Sequence, residues 1–213
     1  TDAPNAIATV VSTRALSFRK AVFMAAILNF FGVLSGTAVA ATIGKGIVDS
    51  KAVDLVTISA AMISIIIWSS SAYFWRKKIG IPTSESHALV AALAGAGLAT
   101  GGIDALLWIG WKKVLIGLGF STFLGLFGSY FLTRIVQKLS APFPLYPTRS
   151  TFRKLQIFSS GFMAFSHGSN DGQKFMGVFA LALVLGGKYE TFTISLWVIV
   201  LLASVMALGT SVG

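Results

Sequence analysis

Apolar residues run along this chain in long uncharged stretches, without the short stripes of a soluble fold. Three stretches, Ala21 to Gly44, Leu55 to Trp75 and Val114 to Thr133, are each long enough to cross a bilayer core as helix, which takes about 20 residues. A fourth, Thr191 to Gly213, reaches a similar length. Strand-period alternation is absent, so the pattern predicts helices and argues against a β-barrel.

Two further apolar regions are interrupted. Ile79 to Trp111 opens on Gly80-Ile81-Pro82-Thr83-Ser84-Glu85-Ser86-His87 and carries Gly95, Gly97, Gly101 and Gly102, while Leu155 to Gly186 is broken by Ser166-His167-Gly168-Ser169-Asn170-Asp171. Paired Gly- and polar-broken segments point to a transporter binding site, because half-helix ends and unwound backbone can face substrate and ions there. The competing reading is surface loops between short helices.

Composition moves the picture into lipid. Of 213 residues 55% are apolar and 11% charged, with a mean hydropathy of +0.81. A soluble domain carries roughly 25% charged residues. The net charge of +10, from 17 Lys and Arg against 7 acids, lies in short clusters between apolar stretches, which suits anionic headgroups and argues against nucleic acid. There is no cysteine, hence neither disulfide nor thiol chemistry. No signal peptide is visible, and both ends look cut, the first inside a polar motif and the last inside an apolar run. The chain is expected to be a fragment of a longer protein.

Loop charges orient it. Arg14, Arg19 and Lys20, then Arg76, Lys77 and Lys78, then the basic stretch from Arg134 to Lys154, are expected in the cytoplasm. That arrangement requires Ile79 to Trp111 to make one net crossing, which leaves Lys112 and Lys113 outside. An internal repeat is also legible: Asp2-Ala3-Pro4-Asn5 precedes Gly36-Thr37-Ala38-Val39, as Asn170-Asp171-Gly172-Gln173-Lys174 precedes Gly209-Thr210-Ser211-Val212. The loop behind the first copy's helix is basic and the one behind the second is neutral, which fits copies of opposite orientation.

Asp2, Asn5, Asn170 and Asp171 are the leading candidates for chemistry. A carboxylate at membrane depth costs roughly 2.5–3.5 kcal/mol even on the permissive insertion scale, so it is rarely there without a partner. Asp and Asn oxygens suit Na⁺, and a carboxylate can alternatively carry a proton. The plain alternative is a helix N-cap. Pro82 to His87 reads as a helix start, whose free N–H groups and hydroxyls favour an anion; there too Ser84 can be only a cap. His87 and His167 read as packing residues or substrate contacts, with no zinc spacing. Lys174 lies one turn beyond Asp171, where the first copy has Asn5, and can pair with the acid or face an anion. Gly32 to Gly36 reads as close helix packing, and Ser69 to Ser71 as interhelical hydrogen bonding or the lining of a path. There is no Walker loop.

Taken together, Asp2-Ala3-Pro4-Asn5-Ala6-Ile7-Ala8-Thr9, Gly36-Thr37-Ala38-Val39-Ala40, Pro82-Thr83-Ser84-Glu85-Ser86-His87-Ala88 and His167-Gly168-Ser169-Asn170-Asp171 resemble successive signatures of the inorganic phosphate transporter family, the low-affinity phosphate permeases. The resemblance implies an all-α polytopic membrane helical bundle with inverted repeats and broken helices or hairpins. It implies a multi-pass symporter of the cytoplasmic membrane that couples inorganic phosphate to Na⁺ or H⁺ by alternating access, with no other cofactor. By that likeness Thr83, Ser84, Ser86, Ser169 and Asn170 are phosphate ligands, and Asp2, Asn5, Asn170 and Asp171 hold the cation. The expected division is a first repeat at 1–136, a basic cytoplasmic linker at 137–154 and the start of a second repeat at 155–213, with homo-oligomerisation left open. Glu85 departs from the Ser or Thr that family members often carry, and its carboxylate would repel phosphate unless protonated or paired. Two rivals are a permease for another oxyanion such as sulfate and an intramembrane hydrolase using Ser84, His167 and Asp171, for which no nucleophile elbow is present.

Overall fold

The computed structural model describes residues 3–79 and 84–212. Among them lie nine α-helices: α1 (Ala3–Ser12), α2 (Phe18–Leu34), α3 (Ala38–Gly46), α4 (Leu55–Ile79), α5 (Glu85–Gly101), α6 (Trp108–Ser140), α7 (Leu145–His167), α8 (Gln173–Leu185) and α9 (Leu196–Val212). A 3₁₀ turn, Ile103–Ala105, separates α5 from α6, and one π turn, Gly168–Gly172, joins α7 to α8. The sole β pairing among the described residues is an isolated bridge between Val48 and Leu106.

Helix α4 realises the expected span from Leu55, and α6 contains the expected Val114 to Thr133. At 1.5 Å per residue the interval from Lys113 to Arg134 covers roughly 30 Å, the thickness of a hydrocarbon core, with a cation at each end. In the most apolar window of α6 no residue is buried, and Phe120, Phe123, Leu126 and Phe131 are all exposed. Such a surface is suited to lipid. The expected span Ala21 to Gly44 is not one straight helix. It breaks at Ser35-Gly36-Thr37, and α2 and α3 meet at 67°. Ser35 ends α2 by donating its N–H and its hydroxyl to the Gly32 carbonyl, which stops propagation there. The 137–154 segment, expected as a linker, holds the last turn of α6 and the first turns of α7.

Small residues set the close approaches. Helix α2 lies against α7 and the π turn so tightly that a Cβ on Gly32 would collide with the Phe165 carbonyl, and one on Gly168 with the Asn29 backbone. Helix α3 meets α8 in the same way, Ala40 against Gly177. Glycine here provides the absence of a side chain, as between membrane helices generally. Three apolar clusters fill the remaining gaps: one around Ile47, Ile58, Leu89, Leu93 and Leu181, one around Ala6, Val10 and Ala164, and one around Val33, Met176 and Val198.

Hydrogen bonds between elements fix their directions. Thr13 donates to Gln156 and Ser160 to the Ala6 carbonyl, so α1 runs against α7. Helix α1 therefore retraces α7 while α8 leads onward from it, and the helices behind the two copies of the Asp motif depart in opposite senses. Thr57 near the start of α4 pairs with Thr100 near the end of α5, and Ser69 pairs with Glu85. Helix α5 is thus antiparallel to α4, and its first turn lies level with Ser69. The Val48–Leu106 bridge, with the Asp49 N–H donated to Ala105, ties the start of α4, the end of α5 and the start of α6 to one end of the bundle. From there α5 runs back about 24 Å at helical rise, toward the end of the bundle opposite the Val48–Leu106 bridge.

Candidate functional site

The residues expected to bind ligands divide into three groups. The first is assembled where the first turn of α5 meets the π turn. Ser86 Oγ donates to Asp171 Oδ1 at 2.9 Å and accepts from Lys174 Nζ at 2.6 Å, while Lys174 Nζ also donates to Asp171 Oδ1 at 2.7 Å. His167 Nδ1 stands 3.5 Å from the other carboxylate oxygen. The Asp171 and Lys174 side chains are only 14% and 21% exposed, so this pair lacks the water that makes surface ion pairs weak. Its members come from sequence regions far apart, and nothing in local pattern alone joins Ser86 to Asp171.

The second group links the π turn to the α2–α3 bend. Ser169 Oγ lies 3.0 Å from Ser35 Oγ and accepts from Gln173 Nε2 at 3.2 Å. Gln173, itself buried, uses Oε1 to accept the N–H of Val39 in the first turn of α3, at 3.2 Å. That N–H is one of the donors a helix start leaves unpaired, so Gln173 caps α3 from another helix. Sequence reading quoted Gln173 within a motif but gave it no role, because a cap supplied across helices has no local spacing.

The third group stands apart. Ser84 is the N-cap of α5: its Oγ accepts the His87 N–H and lies 2.7 Å from His87 Nδ1. With His87 it lines a different cavity, of about 500 Å³, against Ser64 and Trp68 of α4. Asn170 is exposed and donates its amide to the Ser166 carbonyl. Asn5 is exposed on α1. The expected ligands Asp2 and Thr83 lie outside the described residues.

The π turn shapes the first group. In place of the unwound break expected within Leu155 to Gly186, the chain keeps helical bonding and widens by one residue per turn between Gly168 and Gly172. Such bulges recur at functional sites because they re-aim side chains and free carbonyls. A cavity of about 520 Å³ opens beside it, lined at its polar end by Glu85, His167, Asp171 and Thr210 and elsewhere by residues such as Met62, Phe179 and Leu202. Glu85 Oε2 accepts from Ser69 at 2.6 Å. Glu85 and Asp171 thus line one cavity at the foot of α5, with Lys174 paired to Asp171. Thr210 comes from the repeated Gly-Thr-x-Val, which the sequence marked as a repeat but not as a cavity lining. No cluster of three or more metal-ligating His, Cys, Asp or Glu side chains occurs among the described residues.

A bundle with lipid-suited faces, a helix pair bent in its middle and a Ser86–Asp171–Lys174 cluster where α5 meets the π turn define an integral membrane protein of the transporter class. The chain belongs to the Phosphate transporter family, whose model matches it at residues 1–146 and 142–213. It is 38% identical over its full length to a probable low-affinity inorganic phosphate transporter of Bacillus subtilis and 39% identical to one of Rhizobium meliloti, spanning 63% of the length of each. It is 40% identical to a Streptomyces halstedii protein of the same description, over 78% of this chain and 77% of that one. In fold it matches a solved structure titled "The sodium-dependent phosphate transporter", with a TM-score of 0.78, 22% identity and coverage of 99% of this chain and 70% of that one. The family consists of transporters, which removes the hydrolase reading of Ser84, His167 and Asp171.

Proposed function

We propose that the protein to which this chain belongs is a secondary active symporter that brings inorganic phosphate across the cytoplasmic membrane, coupled to Na⁺ or H⁺ and working by alternating access. The observation that carries this is the Ser86–Asp171–Lys174 cluster, which joins the first turn of α5 to the π turn. A helix start supplies free amides and the positive end of a dipole, which suits an oxyanion. Ser86 is the phosphate ligand this cluster supports, and Thr83, Ser84, Ser169 and Asn170 are assigned to the phosphate side by the family motifs alone. Asp2 and Asn5 in the first repeat, and Asp171 with Asn170 in the second, are the cation side. A cation bound near the anion partly neutralises its charge, so an anion enters more easily alongside a cation. Each ligand then lowers the other's cost of entry, which is coupling in the thermodynamic sense.

The repeats at 1–136 and 155–213, joined by 137–154, are the elements that rock. Their opposed helices α1 and α8 support that division. The names of the relatives and of the structural neighbour support phosphate as cargo and Na⁺ as one coupling ion. The test is uptake of labelled phosphate by the complete protein in proteoliposomes, with Na⁺ and pH gradients imposed separately and sulfate as competitor. Gradient-driven phosphate uptake that resists excess sulfate is the expected result. Sulfate uptake at equal or higher rate would replace phosphate with another oxyanion. The Asp171→Asn variant should reach the membrane yet lose gradient-driven uptake; normal uptake by it would refute the role of this site.

A further inference from the structure

We infer that Lys174 is a built-in cation. Its ammonium stands in, beside Asp171, for the cation that an Asn at the place of Asn5 would help to recruit. The inference rests on the reading of this cluster as the phosphate site and deepens it.

The repeat supplies the first half of the case. Asp2 is followed three residues later by Asn5, and Asp171 at the same interval by Lys174. The carbonyl of an Asn is a ligand for a hard cation such as Na⁺. An ammonium has three donors and no acceptor, so it cannot coordinate a metal ion. At the place of Asn5 the second copy therefore offers no carbonyl to a cation, and Asp171 meets an ammonium there instead.

Geometry supplies the second half. Lys174 Nζ sits 2.7 Å from Asp171 Oδ1, a distance at which it occupies the space beside that oxygen where a bound cation would lie. Ser86, another potential ligand, already accepts from the same ammonium. Two of the three N–H groups are thus used, and the last is left for an oxygen of the transported anion at Ser86. Among the described residues, the other ionisable groups facing the site are His167, 3.5 Å from Asp171 Oδ2, and Glu85, which lines the same cavity and accepts from Ser69. Neither stands in the place of the repeated Asn. A purely structural bridge between α5 and α8 would use the same bonds, but it would not make phosphate uptake depend on Na⁺ in a new way when the charge is replaced by an amide.

That difference is measurable. Labelled-phosphate uptake by the complete protein in proteoliposomes is followed at fixed pH over a Na⁺ series with choline as the replacement. Lys174→Met should lose about tenfold or more of its uptake at every Na⁺ concentration, a size typical of coupling between two ligand sites. Lys174→Asn should match it at low Na⁺ but recover as Na⁺ rises, with a Hill slope for Na⁺ about one higher than wild type. Lys174→Arg keeps the charge and should keep the wild-type slope at a reduced rate. Equal impairment of the Asn and Met variants at all Na⁺ concentrations, or a wild-type slope in Lys174→Asn, would overturn the inference while leaving phosphate transport standing. If the wild-type protein moves no phosphate, the transport reading fails and the inference falls with it. Should the Asn variant not reach the bilayer, Lys174→Gln also offers a carbonyl and is held to the same criteria.

Discussion

Ser86 shows how much a single half-buried hydroxyl can do. It donates to Asp171 and accepts from Lys174, so its loss leaves two charges with one partner fewer each. Hydrogen bonds to charged groups contribute about 1.5–3 kcal/mol. Ser86→Ala should therefore raise the KM for phosphate by about tenfold to a hundredfold, read from uptake kinetics, while Ser86→Thr retains most of the affinity. Ser84→Ala, a cap in the wall of the other cavity, should move KM far less and lower thermal stability instead, by roughly 1 kcal/mol. The motif was legible as a helix start rich in hydroxyls, and so was the need of Asp171 for a partner. Which hydroxyl serves the ion pair was not legible. Ser84 and Ser86 are two residues apart, and helical geometry turns adjacent even positions to different faces. Only the packing of α5 between α4 and the π turn decides that Ser86 meets Asp171 while Ser84 meets His87.

At the scale of elements, the bend between α2 and α3 and the π turn are one structure. Gln173 holds the first turn of α3, and Ser35 and Ser169 share a hydrogen bond across the gap. Gln173→Leu removes that cap and leaves the Val39 N–H without a partner; it should lower the thermal midpoint of the purified protein, with Gln173→Glu the milder change. Gly168→Val would force a side chain into the Asn29 backbone, and such overpacking typically costs 1–3 kcal/mol or more, so little of that variant should reach the membrane. Helix α4 has its own cap in Asp54, whose carboxyl is held below the usual carboxylate range chiefly by the Thr57 hydroxyl and then by the Thr57 N–H. A carboxyl with a depressed folded pKa stabilises above its unfolded value, near 4, and loses that contribution as pH falls through the folded value. Asp54→Ala should accordingly lower the thermal midpoint at neutral pH, with the gap to wild type closing below about pH 4. The spans of α4 and α6 were visible as apolar runs, since length and hydropathy alone dictate them. The 67° bend within Ala21 to Gly44 was not, because an uncharged run reads the same whether straight or broken and the cap that stabilises the break comes from α8.

For the molecule as a whole, basic loops and helix directions lead to the same topology. The connection around Ser50 shares one end of the bundle with the 3₁₀ turn before α6, and α6 carries the chain to the opposite end at Arg134. This chain carries no cysteine, so cysteines introduced into it report the topology once any elsewhere in the complete protein are replaced. In right-side-out vesicles, a membrane-impermeant thiol reagent should label Ser50→Cys and leave Ser150→Cys untouched until the membrane is opened. The reverse pattern would invert the orientation without disturbing the fold. The opposed departure of α1 and α8 was foreseeable from the repeated motif and the loop charges, because those features lie in the chain itself. How far apart the two copies sit depends on the glycine contacts between α2, α7 and α8, which no pattern of residues announces.

One small feature reaches across all of this. Gln173 and Lys174 are neighbours at the exit of the π turn, and one grips the start of α3 while the other grips Asp171. A quarter-turn of backbone at that point cannot loosen either hand alone. If transport proceeds as proposed, an ion or anion that rearranges the Lys174 grip would act on the bend in α2–α3 through the adjacent Gln173.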